Sequence, residues 1–364
     1  ASDVYKRQLH PVYGTPLPES WQVLQVDDVK SPEPSSCVAG PFGSNIASKY
    51  FVEQGIPVIR GGNLTDDLTR FVADGFVFVS EERAKQYRAQ HVRAGDLVFT
   101  CWGTIGQVGR IPEYGPFPEY IISNKQLKLR ANPAIADSRF LFYYFASPQM
   151  VAHIRNRAIG SAVPGINLGI LKSLPVLLPP LSTQRHIASI LSAYDDLIEN
   201  NTRRIQVLEE MAQAIYREWF VEFRFPGHED VRMVDSELGP IPEEWQVIAI
   251  GEAVRTLGGG TPSKEVAAYW VDGTFTWYTP TDLTKSGSMF IEASATRISP
   301  LGLSRSSATA FPARTVMMTS RATIGVVSIT TVEAATNQGF ITCVPNECLG
   351  EYHLYFWLLS NVDL

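Results

Sequence analysis

Apolar residues recur at a three-to-four spacing along one long stretch in the middle of this chain. Ile187, Leu191, Tyr194, Ile198, Ile205, Leu208, Ala212, Ile215 and Trp219 fall on a narrow stripe, with Asn201 as its polar member. Such a stripe marks a helix whose seam faces another helix in a coiled coil. Pro179 and Pro180 stand just before it, Ser182 or Thr183 is placed to cap its first turn, and Pro226-Gly227 stops it. The pattern predicts a spacer helix over residues 181–225. At about 1.5 Å per residue, ~37 residues of it would span on the order of 55 Å.

On either side of that stripe the period shortens to that of strands separated by Gly, Pro and Asn turns. "PVIRGG", "DLVFTCWG" and "QLKLRA" are strand-like runs before the helix; "FTWYTP", "TVMMTSR" and "GFITCV" are strand-like runs after it. Each side closes on an aromatic-rich stretch of helical character, residues 138–156 and 351–362. The two sides also repeat each other. "KYFVEQGIPVIRGGNLT" (49–65) aligns with "AYWVDGTFTWYTPTDLT" (268–284) at an offset of 219, as do "GPFGS" (40–44) with "GGTPS" (259–263) and "VRAGDLVFTCWGTIGQVG" (92–109) with "FPARTVMMTSRATIGVVS" (311–328). "SNKQL" (123–127) then meets "TNQGF" (336–340), and "LPESWQV" (17–23) announces the first copy as "IPEEWQV" (241–247) announces the second. Several blocks in one order make a duplicated α+β domain. The expected organisation is a non-native or disordered lead-in over 1–16, a first domain over 17–180, the spacer helix over 181–225, a linker over 226–240 and a second domain over 241–364. The second copy ends at Leu364 inside the segment matching 138–156, with no counterpart of 159–181 or of the long helix. It reads as C-terminally truncated, and a complete version is expected to continue into a second helix.

Composition narrows the function classes. Hydrophobic residues make up 45% and charged residues 19% of the chain, ordinary for a globular protein, and no apolar run reaches the length of a membrane span. The longest, "LPVLLPPL", is short and broken by prolines. No signal peptide is evident, and four cysteines without a CxxC pair (Cys37, Cys101, Cys343, Cys348) read as structural thiols of a reducing cytoplasm. The net charge of −6 hides two basic zones: seven Lys or Arg against one acid from Lys125 to Lys172, and four Arg with no acid from Arg297 to Arg321. No enzyme constellation competes. The six His are scattered, there is no HExxH and no GxxxxGK[ST], and "LLPPLS" lacks the flanking residues of a methyltransferase motif. No metal site is expected.

"LPESWQVLQVDDV", "IPEEWQVIAIGEA", "SAVPGINLGILKSLPVLLPPLSTQRHIASILSAYDDLIENN" and "LEEMAQAIYREWFVEFRFPGHE" together resemble the specificity (S) subunit of type I restriction–modification systems, from about residue 17 onward and most specifically over 164–225. One departure is Ser182-Thr183 before Gln184, where the family often has an acidic residue. The resemblance implies that each repeat is a target-recognition domain reading one half of a split site in double-stranded DNA. It also implies that the long helices form a coiled coil docking two methyltransferase (M) subunits. The chain itself would be non-catalytic and bind no cofactor. Adenine methylation with S-adenosylmethionine would belong to the M subunits and cleavage to ATP- and Mg-dependent restriction (R) subunits, in cytoplasmic defence against foreign DNA. Two other readings stay open: a structural coiled-coil adaptor without DNA readout, and the recognition part of a fused restriction–methylation enzyme.

The expected DNA contacts lie in equivalent turns that combine Gly with small polar and basic side chains, because Arg pairs well with guanine and Asn or Gln with adenine. In the first copy these are Ser44, Lys49, Arg60, Asn63, Thr65, Trp102, Thr104, Asn124, Lys125 and Gln126, with Lys128 and Arg130 as a basic face. In the second they are Ser263, Lys264, Thr281, Asp282, Arg321, Thr323, Asn337 and Gln338. The Gly-Thr-Ile-Gly and Ala-Thr-Ile-Gly segments are equally compatible with plain tight turns, and Asn124 and Asn337 can bond their own backbone.

Overall fold

The fold follows from a computed structural model that describes residues 12, 14, 16–65, 68–160, 164–321 and 323–361. Most of the expected lead-in over 1–16 lies outside the described residues. The chain divides into two units, one through residue 202 and one from residue 203.

In the first unit, Cys37–Ala39, Gln126–Leu129, Leu97–Thr100 and Val108–Arg110 form a four-stranded antiparallel sheet in that order. A second sheet runs Phe51–Val52, Val77–Val79, Ile56–Ile59, Tyr120–Ile122, His91–Val92, with one parallel pair placing Val58 opposite Ile121. These runs are continuous in apolar residues because both faces are covered. Leu97, Val98 and Phe99 are all buried, and Phe145 meets Phe99 edge-on at 5.1 Å. The opening segment Gln22–Gln25 becomes a strand by pairing antiparallel with Pro175–Leu178, the same "PVLL" run that is too short to span a membrane.

The second unit repeats this topology. Arg255–Gly258, Phe340–Val344, Val316–Thr319 and Val327–Thr330 succeed one another as their counterparts do, with Phe290–Ile291 added at the edge. The parallel pair recurs, with Thr276 opposite Ala334. The duplication is therefore structural, and the fold is two α+β domains joined by a long helix. "QVIA" (246–249) forms no strand, and the described residues of this unit hold no equivalent of Pro175–Leu178 to pair with it. Val247 and Ile248 are exposed, and Trp245 instead lies among the rings of Phe220, Phe223 and Phe225.

Three details differ from the sequence reading. The aromatic stretch 138–156 is two helices, Ser138–Ala146 and Pro148–Asn156. Pro148 disfavours helical backbone at Ser147, whose ψ of 141° ends one helix while its hydroxyl caps the next. The stretch 226–240 is more than a linker: Met233–Ser236 pairs with Gly239–Pro242 as a hairpin around a glycine with φ of 101°. The long helix runs Leu181–Tyr216 and closes in a π turn at Arg217–Val221, so it starts ahead of Ser182 and Thr183 and stops short of 225. It is 36 residues long, or about 54 Å. Most of its seam is uncovered: Tyr194 is 65%, Ile198 63% and Leu208 60% exposed.

Candidate nucleic-acid interface

Strand ends gather the turns of the first repeat. Gly40 N–H donates to Gln126 O (2.8 Å), Ser123 N–H to Ile59 O (3.2 Å), Cys101 N–H to Lys125 O (2.8 Å) and Ile166 N–H to Cys101 O (2.9 Å). Gly40 has to be glycine: a Cβ there would stand 1.8 Å from Ser123 O. At this end Ser44, Arg60, Trp102, Thr104, Asn124 and Lys125 are exposed. Asn124 Nδ2 donates to Gly43 O at 2.9 Å and pins the 40–45 turn, while Thr104 Oγ1 bonds Gln107 Oε1 at 2.6 Å. Sequence reasoning missed Phe42, 91% exposed at the tip of the pinned turn. An aromatic next to glycine reads as core until the structure shows which way the turn faces.

The same end recurs in the second repeat with different side chains. Gly260 N–H donates to Thr336 O, Asn337 N–H to Tyr278 O and Ser320 N–H to Gly339 O. Gly259 is constrained as Gly40 is, with a Cβ placed 1.9 Å from Asn337 O. Ser263, Lys264, Thr281, Arg321, Thr323 and Gln338 are exposed. Gln338 Oε1 accepts from Thr261 Oγ1 at 2.5 Å and ties the two turns together. Asn337 bonds locally, its Oδ1 accepting from Gly339 N–H at 2.8 Å.

Five expected contacts are instead internal. Asn63 is buried; its Oδ1 accepts from Arg60 N–H, and its Nδ2 donates to Val72 O and Asp74 O, so it staples a loop. Gln126 is fully buried, with Oε1 accepting from the Ser123 N–H and hydroxyl. Lys128 is 2% exposed and donates to Ala89 O and His91 O at 2.6 and 2.9 Å; burial pushes its pKa down to about 8. Arg130 makes a two-pronged pair with Asp96 at 2.7 Å and a further bond to Glu33. Asp282 caps its own helix, accepting from the Thr279 N–H and hydroxyl, and reaches Ala295 N–H. Thr65 is half-buried, its hydroxyl on Thr69 O, and Lys49 stacks its ammonium 4.9 Å over the Tyr50 ring.

Apart from exposed residues such as Lys125, the basic zone from Lys125 to Lys172 is thus largely a pairing network. Arg139 pairs with Asp137, Lys172 with Asp27, and Arg155 donates to Ile105 O. Charges drawn under a surface need partners, and apart from Asp137 the acids that supply them lie elsewhere in the sequence. The cleft of about 400 Å³ beside Arg93, Asp96, Arg110, Glu113 and Arg130 belongs to this network. No group of three or more His, Cys, Asp or Glu suited to a metal occurs among the described residues. No described helix is long and apolar enough to cross a membrane.

Comparison with known proteins decides the family. The type I restriction modification DNA specificity domain matches residues 18–210 and 242–363, once per repeat. The chain belongs to that family. Type I restriction specificity subunits similar to it include MjaIX from Methanocaldococcus jannaschii, 32% identical over 251 residues (69% of this chain, 55% of the relative). Another is HindI from Haemophilus influenzae, 24% identical over 285 residues (63% of this chain, 61% of the relative). The S subunit structure from M. genitalium shares the fold, with a TM-score of 0.53 at 14% identity, covering 94% of this chain and 78% of that one. The chain spans about half the length of the first curated relatives it matches, 53% and 55%. Its relatives are named as specificity subunits, not as methyltransferases or nucleases, in keeping with the lack of a catalytic motif in the sequence.

Proposed function

We propose that this S-family chain directs a type I complex to an asymmetric bipartite DNA site. Each repeat reads one half-site through its turn-bearing end, and the seam of the long helix docks the methyltransferase subunits. The observation that carries this is the pair of topologically equivalent ends with unlike exposed side chains. Exposed Phe42, Trp102 and Lys125 on one answer half-buried Thr261 and exposed Arg321 and Gln338 on the other. A common frame with different reading groups suits two half-sites of different sequence, with phosphate contacts positioning and base-edge contacts specifying. Catalysis then resides in partners: adenine methylation with S-adenosylmethionine in the M subunits, cleavage in ATP- and Mg-dependent R subunits. The setting is cytoplasmic.

The test is reconstitution with the M subunits, followed by mapping of methylated adenines and salt-dependent binding to the mapped site. One bipartite motif, bound tightly and weakened steeply by salt, is the expected result. A complex that assembles on the helix but methylates without sequence preference would return the chain to the adaptor role.

A further inference from the structure

The loop after Asn63 reaches the long helix at one point. Arg70 places its guanidinium against three carboxylates within little more than one turn of the helix: 2.8 Å from Asp196 Oδ1, 2.8 Å from Glu199 Oε1 and 4.0 Å from Asp195 Oδ2. Asp195 also accepts from the Tyr143 hydroxyl at 2.6 Å. The loop that carries Arg70 is itself held. Asn63 Nδ2 donates to Val72 O and Asp74 O, and Arg70 O accepts from Arg110 N–H at 2.9 Å. A second anchor lies nearer the helix start. There Gln184, 1% exposed, bonds Asp137 N–H, Ile135 O and Pro179 O, and Ala188 is fully buried in the domain core. From 184 to 196 the helix advances about 18 Å. One anchor permits a pivot; two along the same axis fix a direction.

The described residues of the second repeat carry no arginine at the equivalent position. The position equivalent to Arg70 is Met289, whose carbonyl accepts from Ile329 N–H as Arg70's does from Arg110, but whose side chain is buried in its own domain.

We propose that Arg70 is a positioning residue that locks the first recognition domain onto the spacer helix, and that this lock restricts the DNA spacer length the complex accepts. The second half of the proposal rests on the reading of the domains as half-site readers. A base pair adds about 3.4 Å along the duplex, so a domain free to pivot on Gln184 alone accommodates a spacer one base pair longer or shorter. A network of partly exposed pairs on one guanidinium, rather than an isolated pair, is the case in which such contacts count.

Two measurements test it. Complexes of the full chain with M subunits are assayed on the mapped site and on sites with one base pair added to or removed from the spacer. Arg70→Ala is expected to lower discrimination against the altered spacers about tenfold, which is about 1.4 kcal/mol, while methylation of the correct site persists. The charge-swapped chain, Arg70→Glu with Asp196→Arg and Glu199→Arg, is expected to restore discrimination. Unchanged discrimination in Arg70→Ala overturns the proposal. So does equal loss on all three sites that the swap does not restore, since Arg70 would then only stabilise the fold. Independently of DNA, spin labels at Glu82→Cys and Asn201→Cys, with Cys348→Ser, should give a narrow distance distribution that broadens in Arg70→Ala. A narrow distribution that broadens, together with no sequence-specific methylation by the unmodified complex, keeps the lock and discards the recognition reading. A distribution that Arg70→Ala leaves unchanged discards the lock.

Discussion

At the scale of single residues, burial separates lysines that look alike in sequence. Lys125 and Lys128 lie three apart on the same run, yet the first is exposed and the second is 2% exposed with two carbonyl acceptors. Lys125→Glu is expected to weaken DNA binding of the assembled complex and to flatten its salt dependence by roughly one phosphate contact. Lys128→Met should leave the salt slope unchanged, as titrations at several salt concentrations would show. Lys128 has a different signature. Its folded pKa of about 8 lies below the ordinary 10.5. Between those values the unfolded chain holds a proton that the folded chain has released, so this site's contribution to stability rises with pH across that window. Urea unfolding of both proteins from pH 7.5 to 10.5 should show the original chain gaining on Lys128→Met by at most about 3 kcal/mol. A flat difference would place the ammonium in solvent.

At the scale of elements, the turns and the helix obey different demands. Gly40 and Gly259 occupy the same place in the two repeats, and each leaves less than 2 Å between a would-be Cβ and a facing carbonyl oxygen. Gly40→Ala must push apart the 40–45 and 123–126 turns, an overpacking cost of about 1–3 kcal/mol, visible as a lower unfolding midpoint. The helix behaves in the opposite way. Ile198 and Ile205 are 63% and 57% exposed, so replacing both by Glu should leave the melting temperature nearly unchanged. The same change should abolish co-purification with M subunits if the seam is their docking surface. A melting temperature that falls steeply instead would show that the seam is already covered within the chain.

At the scale of the whole molecule, two copies of one topology carry different surfaces, and this bears on specificity. Exchanging the exposed residues of the second repeat's end, Lys264, Arg321 and Gln338, for alanine should relax base preference in one half of the methylated motif and leave the other half intact. Methylation mapping of the variant complex checks this directly. Loss of preference in both halves would mean that the repeats do not read DNA independently.

Much of this organisation is legible in sequence because it is written in periods and repeats. The seam from Ile187 to Trp219, the offset of 219 between copies and the paired "WQV" phrases are one-dimensional signals, and the helix and the duplication follow from them. What a side chain faces is not periodic. Asn63, Lys128, Arg130 and Asp282 point inward because their partners (Val72 and Asp74, Ala89 and His91, Asp96, Ala295) come from segments that folding brings near, while Gln126 turns back on Ser123. Phe42 escaped notice for the converse reason: an aromatic side chain is normally drawn inward, and only the pinned turn turns it out. The second "WQV" kept its sequence but not its strand, since a strand exists only with a partner to share its hydrogen bonds. Sequence alone thus determined the duplicated architecture and the family. The tertiary structure decided which polar groups are spent on the protein itself and which stay exposed, because burial and hydrogen bonding depend on distances between residues far apart in the chain.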